Sequence, residues 1–155
     1  MQTILGANGT IGKILARELK QYTDRVRLVS RNPKKVNETD ELLAIELTQP
    51  GTVDMAVKGS EVVDLVVGLE YKTKVWEQFW PVLMRDTIDS CVTHHAKLVF
   101  FDNVYMYDRE HISQLTEHSP VNPPSRKGAV RKWIAEMLLE AVRTRGLTAL
   151  IARSA

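Results

Sequence analysis

The feature that most constrains the fold is a regular alternation of short apolar runs with longer stretches of helical period. Six runs have the length and composition of strands, in the order TILG, RVRLVS, LLAIEL, EVVDLVVG, KLVFFD and LTALIARS. Helical patterns separate most of them. Strands that alternate with helices are typical of a parallel sheet with helices on both faces. The chain therefore predicts an α/β fold with a doubly wound parallel sheet in three α/β/α layers.

Three of the helical segments and one irregular stretch give specific expectations. The long segment KTKVWEQFWPVLMRDTIDSCVTHHA contains Pro81, which predicts a kink or a local break. The last segment ends at Gly146, a typical helix stop. The irregular stretch 103–125 follows a strand, at the edge where such sheets bind ligands. The first segment, TIGKILARELKQY, gathers its apolar residues on one face, which we expect to be buried: Ile11, Ile14, Leu15, Leu19 and Tyr22.

The length and composition indicate one ordinary globular domain, covering residues 1–155. Apolar residues make up 44% of the chain and charged residues 26%, which is usual for such domains. The 21 basic and 19 acidic residues leave a net charge of +2, too balanced to favour nucleic acid as the main partner. The apolar runs are short and interrupted, so no membrane partner is predicted either.

Cysteine and histidine usage bears on the compartment and on metals. Cys91 is the only cysteine, so no intrachain disulfide is expected and a cytoplasmic location is predicted. The four histidines lack the spacing of zinc ligands, and the adjacent His94 and His95 point in different directions on a helix. The sequence therefore predicts no metal site.

Three equally spaced glycines, in GANGTIG, join the first apolar run to the first helical segment. We expect Gly6 to permit a tight turn, Gly9 to let the backbone approach a pyrophosphate, and Gly12 to let the helix pack closely on the strands. The free N–H groups and positive dipole end of a helix start suit an anion. Asn8 and Thr10 are small polar residues that add hydrogen-bonding groups. A plain strand-to-helix turn is the alternative, but the position after a strand favours a Rossmann-type dinucleotide site.

The end of the second strand distinguishes NAD from NADP. NAD sites usually carry an acid there, about 20 residues beyond the glycines, for the ribose hydroxyls. Here the place holds Ser30 and Arg31, with Lys34 and Lys35 close behind. An arginine pairs with a 2′-phosphate, whereas a carboxylate would repel it. The sequence predicts NADP as the cofactor, with NAD as the alternative; the other interpretation of this segment is a solvated basic turn.

The spacing of GANGTIG resembles that of the short-chain dehydrogenase/reductase superfamily, in particular its extended and atypical branch, the NAD-dependent epimerase/dehydratase family. Other landmarks follow in the same order: KGSEVVDLVVG resembles the stretch leading through the fourth strand, KLVFFDNVYMYD the fifth strand and its loop, and EHSPVNPPSRKGAVRKWIAE the active-site helix with the loop before it. The resemblance covers essentially the whole chain. With it, the predicted cofactor-binding residues are Gly6, Asn8, Gly9, Thr10, Ile11, Gly12, Ser30, Arg31, Lys34, Leu47, Val67, Gly68 and Leu69.

The sequence departs from this family at the catalytic positions. The family places a serine or threonine shortly after the fifth strand and a tyrosine-x-x-x-lysine motif on the following helix. Here those places hold Asn103, Lys127 and Arg131. Arg131 can donate to ribose hydroxyls but keeps its proton at neutral pH, and Lys127 acts as an acid or base only if burial or a nearby cation favours loss of its proton. Tyr105 and Tyr107 follow closely, and we favour packing beneath the loop for Tyr107 over replacement of the lost hydroxyl.

Members of this family are longer, and their C-terminal part closes the substrate pocket. The resemblance therefore implies that this substrate-binding part is absent and that the 155-residue form is weakly active or inactive. An aromatic stripe on the long helical segment predicts core packing, with or without a homodimer face; it consists of Trp76, Phe79, Trp80 and Leu83.

Two functions remain open at this point. The first is an NADP-dependent oxidoreductase or sugar-modifying enzyme of the epimerase/dehydratase type, with altered catalytic residues and a small-molecule substrate such as a carbonyl compound or a nucleotide sugar. The second is a non-catalytic NADP-binding sensor or regulatory module. The glycine turn supports both equally, whereas Asn103 and Lys127 count against ordinary catalysis.

Overall fold

The computed structural model describes residues 1–154 and contains one six-stranded parallel sheet. The strand order is β3-β2-β1-β4-β5-β6, so the chain winds outward from β1 in both directions. The strands are β1 (Gln2–Leu5), β2 (Val26–Ser30), β3 (Glu41–Ala44), β4 (Val62–Leu65), β5 (Lys97–Asn103) and β6 (Ala149–Ser154). The predicted doubly wound α/β architecture is confirmed.

Helices connect most of these strands and cover the sheet. They are α1 (Thr10–Leu19), α2 (Thr52–Val57), α3 (Thr73–Thr93) and α4 (Arg126–Arg145), and a 3-10 helix (Arg109–Gln114) lies within the predicted irregular stretch. The break expected at Pro81 is wrong, because α3 continues through this buried proline as one helix. The stop expected at Gly146 is confirmed: this residue caps α4 with a φ of 68°, a conformation that glycine adopts without a Cβ penalty.

The direction of winding reverses beside β1, which determines where a ligand can bind. Leu5 at the end of β1 pairs in register with Val29 of β2 on one side and with Leu65 of β4 on the other. The loops that leave β1 and β4 therefore turn to opposite faces of the sheet and open a crevice between them. Ligands of open α/β sheets bind at such a reversal, beyond the carboxyl ends of the strands.

The core lies on both faces of the sheet, and it corrects one expectation for α1. The larger cluster packs α2, α3 and α4 against one face, with Trp80 and Phe100 fully buried. On the other face, α1 buries Gly12 and Ala16, while the Ile14 side chain is 51% exposed and Tyr22 lies beyond the helix, 82% exposed. The apolar face of α1 is thus only partly buried, because the helix approaches the strands through its small residues.

Candidate functional site

The glycine turn joins β1 to α1 in the geometry that its spacing predicts. Gly6 has a φ of 95°, and a Cβ at this residue would lie 2.7 Å from the Cα of Val67. A Cβ at Gly12 would lie 2.7 Å from the Cα of Ala7. Both glycines are therefore required by close backbone contacts, one with the loop after β4 and one within the turn. Gly12 permits the close approach of α1 that the sequence predicts.

Gly9 differs from the other two because its environment is open. It precedes the first residue of α1 and has extended backbone angles that any residue adopts. A Cβ here would meet only the carbonyl oxygen of Gly6, at 3.4 Å, among the described residues. The first turn of α1 contains no acidic side chain. The helix start thus presents its N–H groups and positive dipole end to open space, as an anion-binding turn requires.

Polar groups around this turn are arranged toward the same space. The Asn8 side-chain amide donates to the carbonyl oxygen of Asn32 at 2.7 Å and ties the glycine turn to the loop after β2. The hydroxyl oxygen of Ser30, at the end of β2, is buried and has no hydrogen-bond partner within residues 1–154. Buried hydroxyls without a partner are uncommon in folded proteins. A buried hydroxyl without a partner, next to the glycine turn, is suited to a hydrogen bond with a polar ligand bound at this position.

A cavity of about 620 Å³ opens at the crevice beside β1. Its walls include nine of the predicted cofactor-binding residues: Gly6, Asn8, Gly9, Ser30, Arg31, Leu47, Val67, Gly68 and Leu69. Four predicted residues lie outside this lining, namely Thr10, Ile11, Gly12 and Lys34. Thr10 and Ile11 start α1 and are exposed, Gly12 is buried against the turn, and Lys34 is exposed in the loop after β2.

Several lining residues were missed by sequence reasoning. They are Asn32, Ile45, Glu46, Thr48, Glu70, Val75, Phe79 and Leu83. The residues after β3 could have been found from the sequence. Glu46 and Thr48 closely follow a strand, and the carboxyl end of that strand must lie at the ligand edge. Phe79 belongs to the aromatic stripe of α3, and its place in the cavity wall is a tertiary contact that helical spacing alone does not reveal.

Arg31, predicted to bind a 2′-phosphate, has an acidic neighbour. Its Nε lies 3.7 Å from Oε2 of Glu46, and its side chain is 83% exposed. The other carboxylate oxygen of Glu46 accepts hydrogen bonds from the backbone N–H and the hydroxyl of Thr48, at 3.3 and 3.0 Å. The end of β2 therefore lacks an acid of its own, as the sequence indicates, but the next strand supplies one.

At the end of β5, Arg131 forms a buried ion pair instead of facing the cavity. Its Nε donates to Oδ1 of Asp102 at 2.7 Å, and a terminal guanidinium nitrogen lies 2.6 Å from the same oxygen. Arg153 donates to the other carboxylate oxygen of Asp102 at 3.3 Å. The carboxylate is fully buried and the arginine nearly so. The guanidinium also stacks against aromatic rings, at 4.4 Å from the centre of Trp80 and 4.8 Å from that of Phe100. Burial lowers the pKa of Arg131, and the adjacent Asp102 opposes this shift.

Lys127 lies in an aromatic cluster formed with Tyr71, Trp76 and Tyr105. Its ammonium nitrogen is 3.5 Å from the centre of the Tyr71 ring. The rings of Trp76 and Tyr105 stack with an interplanar angle of 14°. Hydrogen bonding to Tyr71 and partial burial raise the pKa of Tyr105, whereas the nearby cations Lys127 and Arg131 act in the opposite direction. This cluster directly adjoins the cavity, since Glu70 and Val75 line it.

The loop after β5 is held by local contacts. The backbone N–H of Asn103 donates to Asp102 at 2.8 Å, and the Asn103 side-chain oxygen accepts from the backbone N–H of Tyr105 at 3.0 Å. Tyr107 is buried, as favoured from the sequence, and its hydroxyl accepts from Arg153 at 2.7 Å. A Cβ at Gly128 would overlap the carbonyl oxygen of Tyr105, so this glycine lets α4 begin against the loop.

Two further features of residues 1–154 bear on function. No cluster of three or more histidine, cysteine, aspartate or glutamate side chains in this part of the chain is arranged to hold a metal ion. Within the same residues, the helices lack the combination of length and apolar character that crossing a membrane requires.

The chain belongs to the NAD(P)H-binding family, whose family model matches residues 6–154. The matched range begins at the first glycine of the turn and includes every predicted catalytic position. Comparison with curated proteins gives no match.

Solved structures with the same fold include dehydrogenases and epimerases. Uronate dehydrogenase from Agrobacterium tumefaciens superposes with a TM-score of 0.84 at 15% identity, covering 96% of this chain and 57% of that one. A short-chain dehydrogenase/reductase superfamily protein from the same bacterium, with bound NAD, gives 0.84 at 19% identity, covering 99% and 48%. UDP-galactose 4-epimerase gives 0.82 at 20% identity, covering 99% and 55%. The chain spans about half the length of these neighbours, and the fold that the resemblance implies is confirmed.

Proposed function

We propose that this chain binds NADP in preference to NAD, through the glycine turn and the end of β2. The observation that carries the proposal is the open cradle at Gly9 beside the unpartnered hydroxyl of Ser30. Family membership supports a dinucleotide ligand in general. The preference for NADP rests on Arg31, which is exposed at the cavity wall and carries a guanidinium suited to a phosphate.

In this proposal, different residues bind different parts of the dinucleotide. The N–H groups at the start of α1 and the Asn8 side chain hold the pyrophosphate, and Ser30 with Arg31 holds the phosphorylated ribose. Leu47 and Leu69 offer apolar wall to the ligand, and Val67 with Gly68 brings backbone close to it. A bound NADP(H) supplies a hydride donor or acceptor at its nicotinamide.

The test is a titration of the purified chain with NADPH and with NADH, in which tryptophan fluorescence reports binding. We expect tighter binding of NADPH in the wild type. Arg31→Ala should weaken NADPH binding about tenfold, because one charge-assisted pair with the 2′-phosphate is lost, and should leave NADH nearly unchanged. Equal affinity for the two dinucleotides, or tighter NADH binding, would contradict the NADP preference.

Gly9→Ala provides the matched control for the cradle. The added methyl group meets only the carbonyl oxygen of Gly6, at an ordinary van der Waals distance of 3.4 Å, and the backbone angles of Gly9 suit any residue, so the melting temperature should stay nearly the same. Binding of both dinucleotides should weaken at least about tenfold, because the methyl group occupies the place of closest backbone approach to the pyrophosphate. Unchanged affinity in a stably folded variant would place the ligand elsewhere.

For chemistry, we propose an oxidoreductase or sugar-modifying enzyme with altered proton-transfer residues, acting on a carbonyl compound or a nucleotide sugar. Lys127 and Asn103 are the residues offered to the substrate side, and Arg131 serves the site only through the buried pair with Asp102. This activity concerns the whole protein, of which residues 1–155 form the cofactor-binding domain in this proposal. A cytoplasmic location belongs to the same proposal.

A non-catalytic NADP-binding module is the second candidate, and a specific observation favours it. Both positions of the family's tyrosine-lysine pair are engaged in other contacts, Lys127 with Tyr71 and Arg131 with Asp102. A screen of carbonyl substrates with NADPH, repeated with Lys127→Ala, separates the two candidates. Turnover that disappears in the variant while NADPH still binds supports the enzyme; tight binding without any turnover supports the module.

We also propose a homodimer, formed through α3 and α4. The aromatic stripe itself is mostly core, since Trp76, Trp80 and Leu83 are buried. Apolar side chains nevertheless remain exposed on both helices, with Val82 at 43% and Trp133 at 50%. A strictly monomeric mass in solution at high protein concentration would exclude this arrangement.

A further inference from the structure

The contact between Arg31 and Glu46 has a consequence for cofactor choice. Because β2 and β3 pair in parallel, with Ser30 opposite Ala44, the residues that follow the two strands leave the sheet side by side. Arg31 comes one position after β2 and Glu46 two positions after β3, and their charged groups meet at 3.7 Å. Both side chains line the cavity.

The position of Glu46 is fixed by its own loop rather than by Arg31. Oε1 accepts from the backbone N–H and the hydroxyl of Thr48. The backbone carbonyl of the same residue accepts from the hydroxyl of Thr52 at 2.9 Å. These bonds leave Oε2 directed at the guanidinium, so the negative charge is held beside Arg31 by contacts that do not involve Arg31 itself.

A carboxylate in this place opposes a 2′-phosphate in two ways. A phosphate monoester carries a charge of about −1.5 to −2 near neutral pH, and a carboxylate within a few ångström repels it. The same carboxylate also competes for the guanidinium that would hold the phosphate. The uncharged 2′-hydroxyl of NAD meets neither penalty.

We propose that Glu46 is a specificity-determining residue that limits the preference of this site for NADP. The inference rests on the proposed function, because it concerns the ligand of the same cavity. Arg31 attracts the 2′-phosphate and Glu46 reduces that attraction, so the ratio of the two affinities reflects the balance between these two side chains.

The experiment compares Glu46→Gln with the wild type in binding titrations with NADPH and NADH at low ionic strength. Glutamine keeps the size and the hydrogen bonds to Thr48 but removes the charge. NADPH affinity should rise about five- to tenfold, with NADH affinity within about twofold of the wild type. Adenosine 2′,5′-bisphosphate and adenosine 5′-monophosphate should show the same contrast, and added salt should shrink it.

Glu38→Gln is the matched control. It removes the same charge from the segment between β2 and β3, where its exposed side chain lies outside the cavity lining. NADPH affinity should change much less in this variant than in Glu46→Gln. A similar gain in both variants would reduce the effect to net charge and overturn the role of Glu46.

The remaining outcomes separate this inference from the proposed function. If the wild type binds neither dinucleotide at millimolar concentration, the proposed function fails and the inference fails with it. If NADPH binds but Glu46→Gln changes both dinucleotides equally, or neither, the proposed function stands and the inference is wrong. Weaker NADH binding in the variant would instead make Glu46 a ribose contact and would likewise overturn the inference.

Discussion

The two halves of the ligand edge are built on different principles. Around β1 and β2, the turn consists of glycines, the Ser30 hydroxyl has no partner in the described chain, and a cavity lies in front of them. Around β5 and the start of α4, the charged groups are engaged with one another: Arg131 with Asp102, and Lys127 with the ring of Tyr71. The first half is open to a ligand, whereas the second is largely satisfied by its own contacts.

This difference separates what backbone and side chains contribute to a site. The glycine half depends on close approach of main chain, which glycines at the right spacing make possible. The half around Arg131 depends on which partners the fold brings to each side chain. A family likeness therefore transfers the binding turn more safely than it transfers the chemistry.

The largest expected effect is a loss of stability when the buried ion pair of the second half is broken. Arg131→Ala removes the closer of the two arginines that pair with the buried Asp102 and leaves Arg153 at 3.3 Å, so the free energy of unfolding should fall by up to about 3–5 kcal/mol in denaturant titrations. Arg126→Ala is the matched control, because it breaks an ion pair with Glu77 in which the arginine is 74% exposed. Its cost should be about 1 kcal/mol or less.

A double variant keeps this prediction testable if Arg131→Ala does not fold. Asp102→Asn combined with Arg131→Met removes both charges and keeps side-chain volume, so most of the lost stability should return. A double variant no more stable than Arg131→Ala would mean that the pair does not account for the loss.

The second largest effect is expected for Asp64, on the strand that lies between the two halves. Burial raises the pKa of Asp64, in the middle of β4, from 3.8 to about 6, although Gln2 donates to its carboxylate at 2.8 Å. A folded-state pKa above the unfolded value means that the contribution of Asp64 to stability is highest below about pH 4 and is lost as the pH rises through about 6. Asp64→Asn should therefore gain up to about 3 kcal/mol at pH 8.

The measurement for Asp64 is the difference in unfolding free energy between variant and wild type from pH 4 to pH 8. This difference should grow with pH and level off above about pH 7. Neither dinucleotide affinity nor the contacts of Arg131 should change, since Asp64 is absent from the cavity lining and its partner Gln2 begins β1, at the end of the strand away from the glycine turn. A difference that stays constant with pH would refute the shifted pKa.

The smallest effect concerns the aromatic cluster. Lys127→Ala removes a cation that lowers the pKa of Tyr105, so this pKa should rise further above its usual value. The cation–π contact with the exposed Tyr71 should cost no more than about 1 kcal/mol of stability. Ultraviolet titration of the phenols measures the shift, with Tyr105→Phe to identify the signal.

Lys132→Ala serves as the control for the cluster, because Lys132 pairs with Glu136 at 3.9 Å and has no contact with the aromatic rings among the described residues. Its phenol titration should match that of the wild type. An equal shift in both lysine variants would assign the effect to net charge rather than to the contact with the rings.

The sequence predicted the fold and the glycine half well because both follow from local patterns. Strand runs, helical periods and the spacing of Gly6, Gly9 and Gly12 are visible within short windows. It did not predict that Glu46 meets Arg31, since their contact depends on the register between β2 and β3. Nor did it predict the burial of Arg131, because its partner Asp102 comes 29 residues earlier and reads simply as the end of a strand.

The Asp102–Arg131 pair has a consequence for grafting onto this chain the tyrosine-lysine motif of the short-chain dehydrogenases/reductases. Changing Lys127 to tyrosine and Arg131 to lysine would leave Asp102 in the interior with a compact ammonium in place of the Arg131 guanidinium, beside the more distant guanidinium of Arg153 at 3.3 Å. The charge balance around Asp102 therefore has to be designed together with positions 127 and 131.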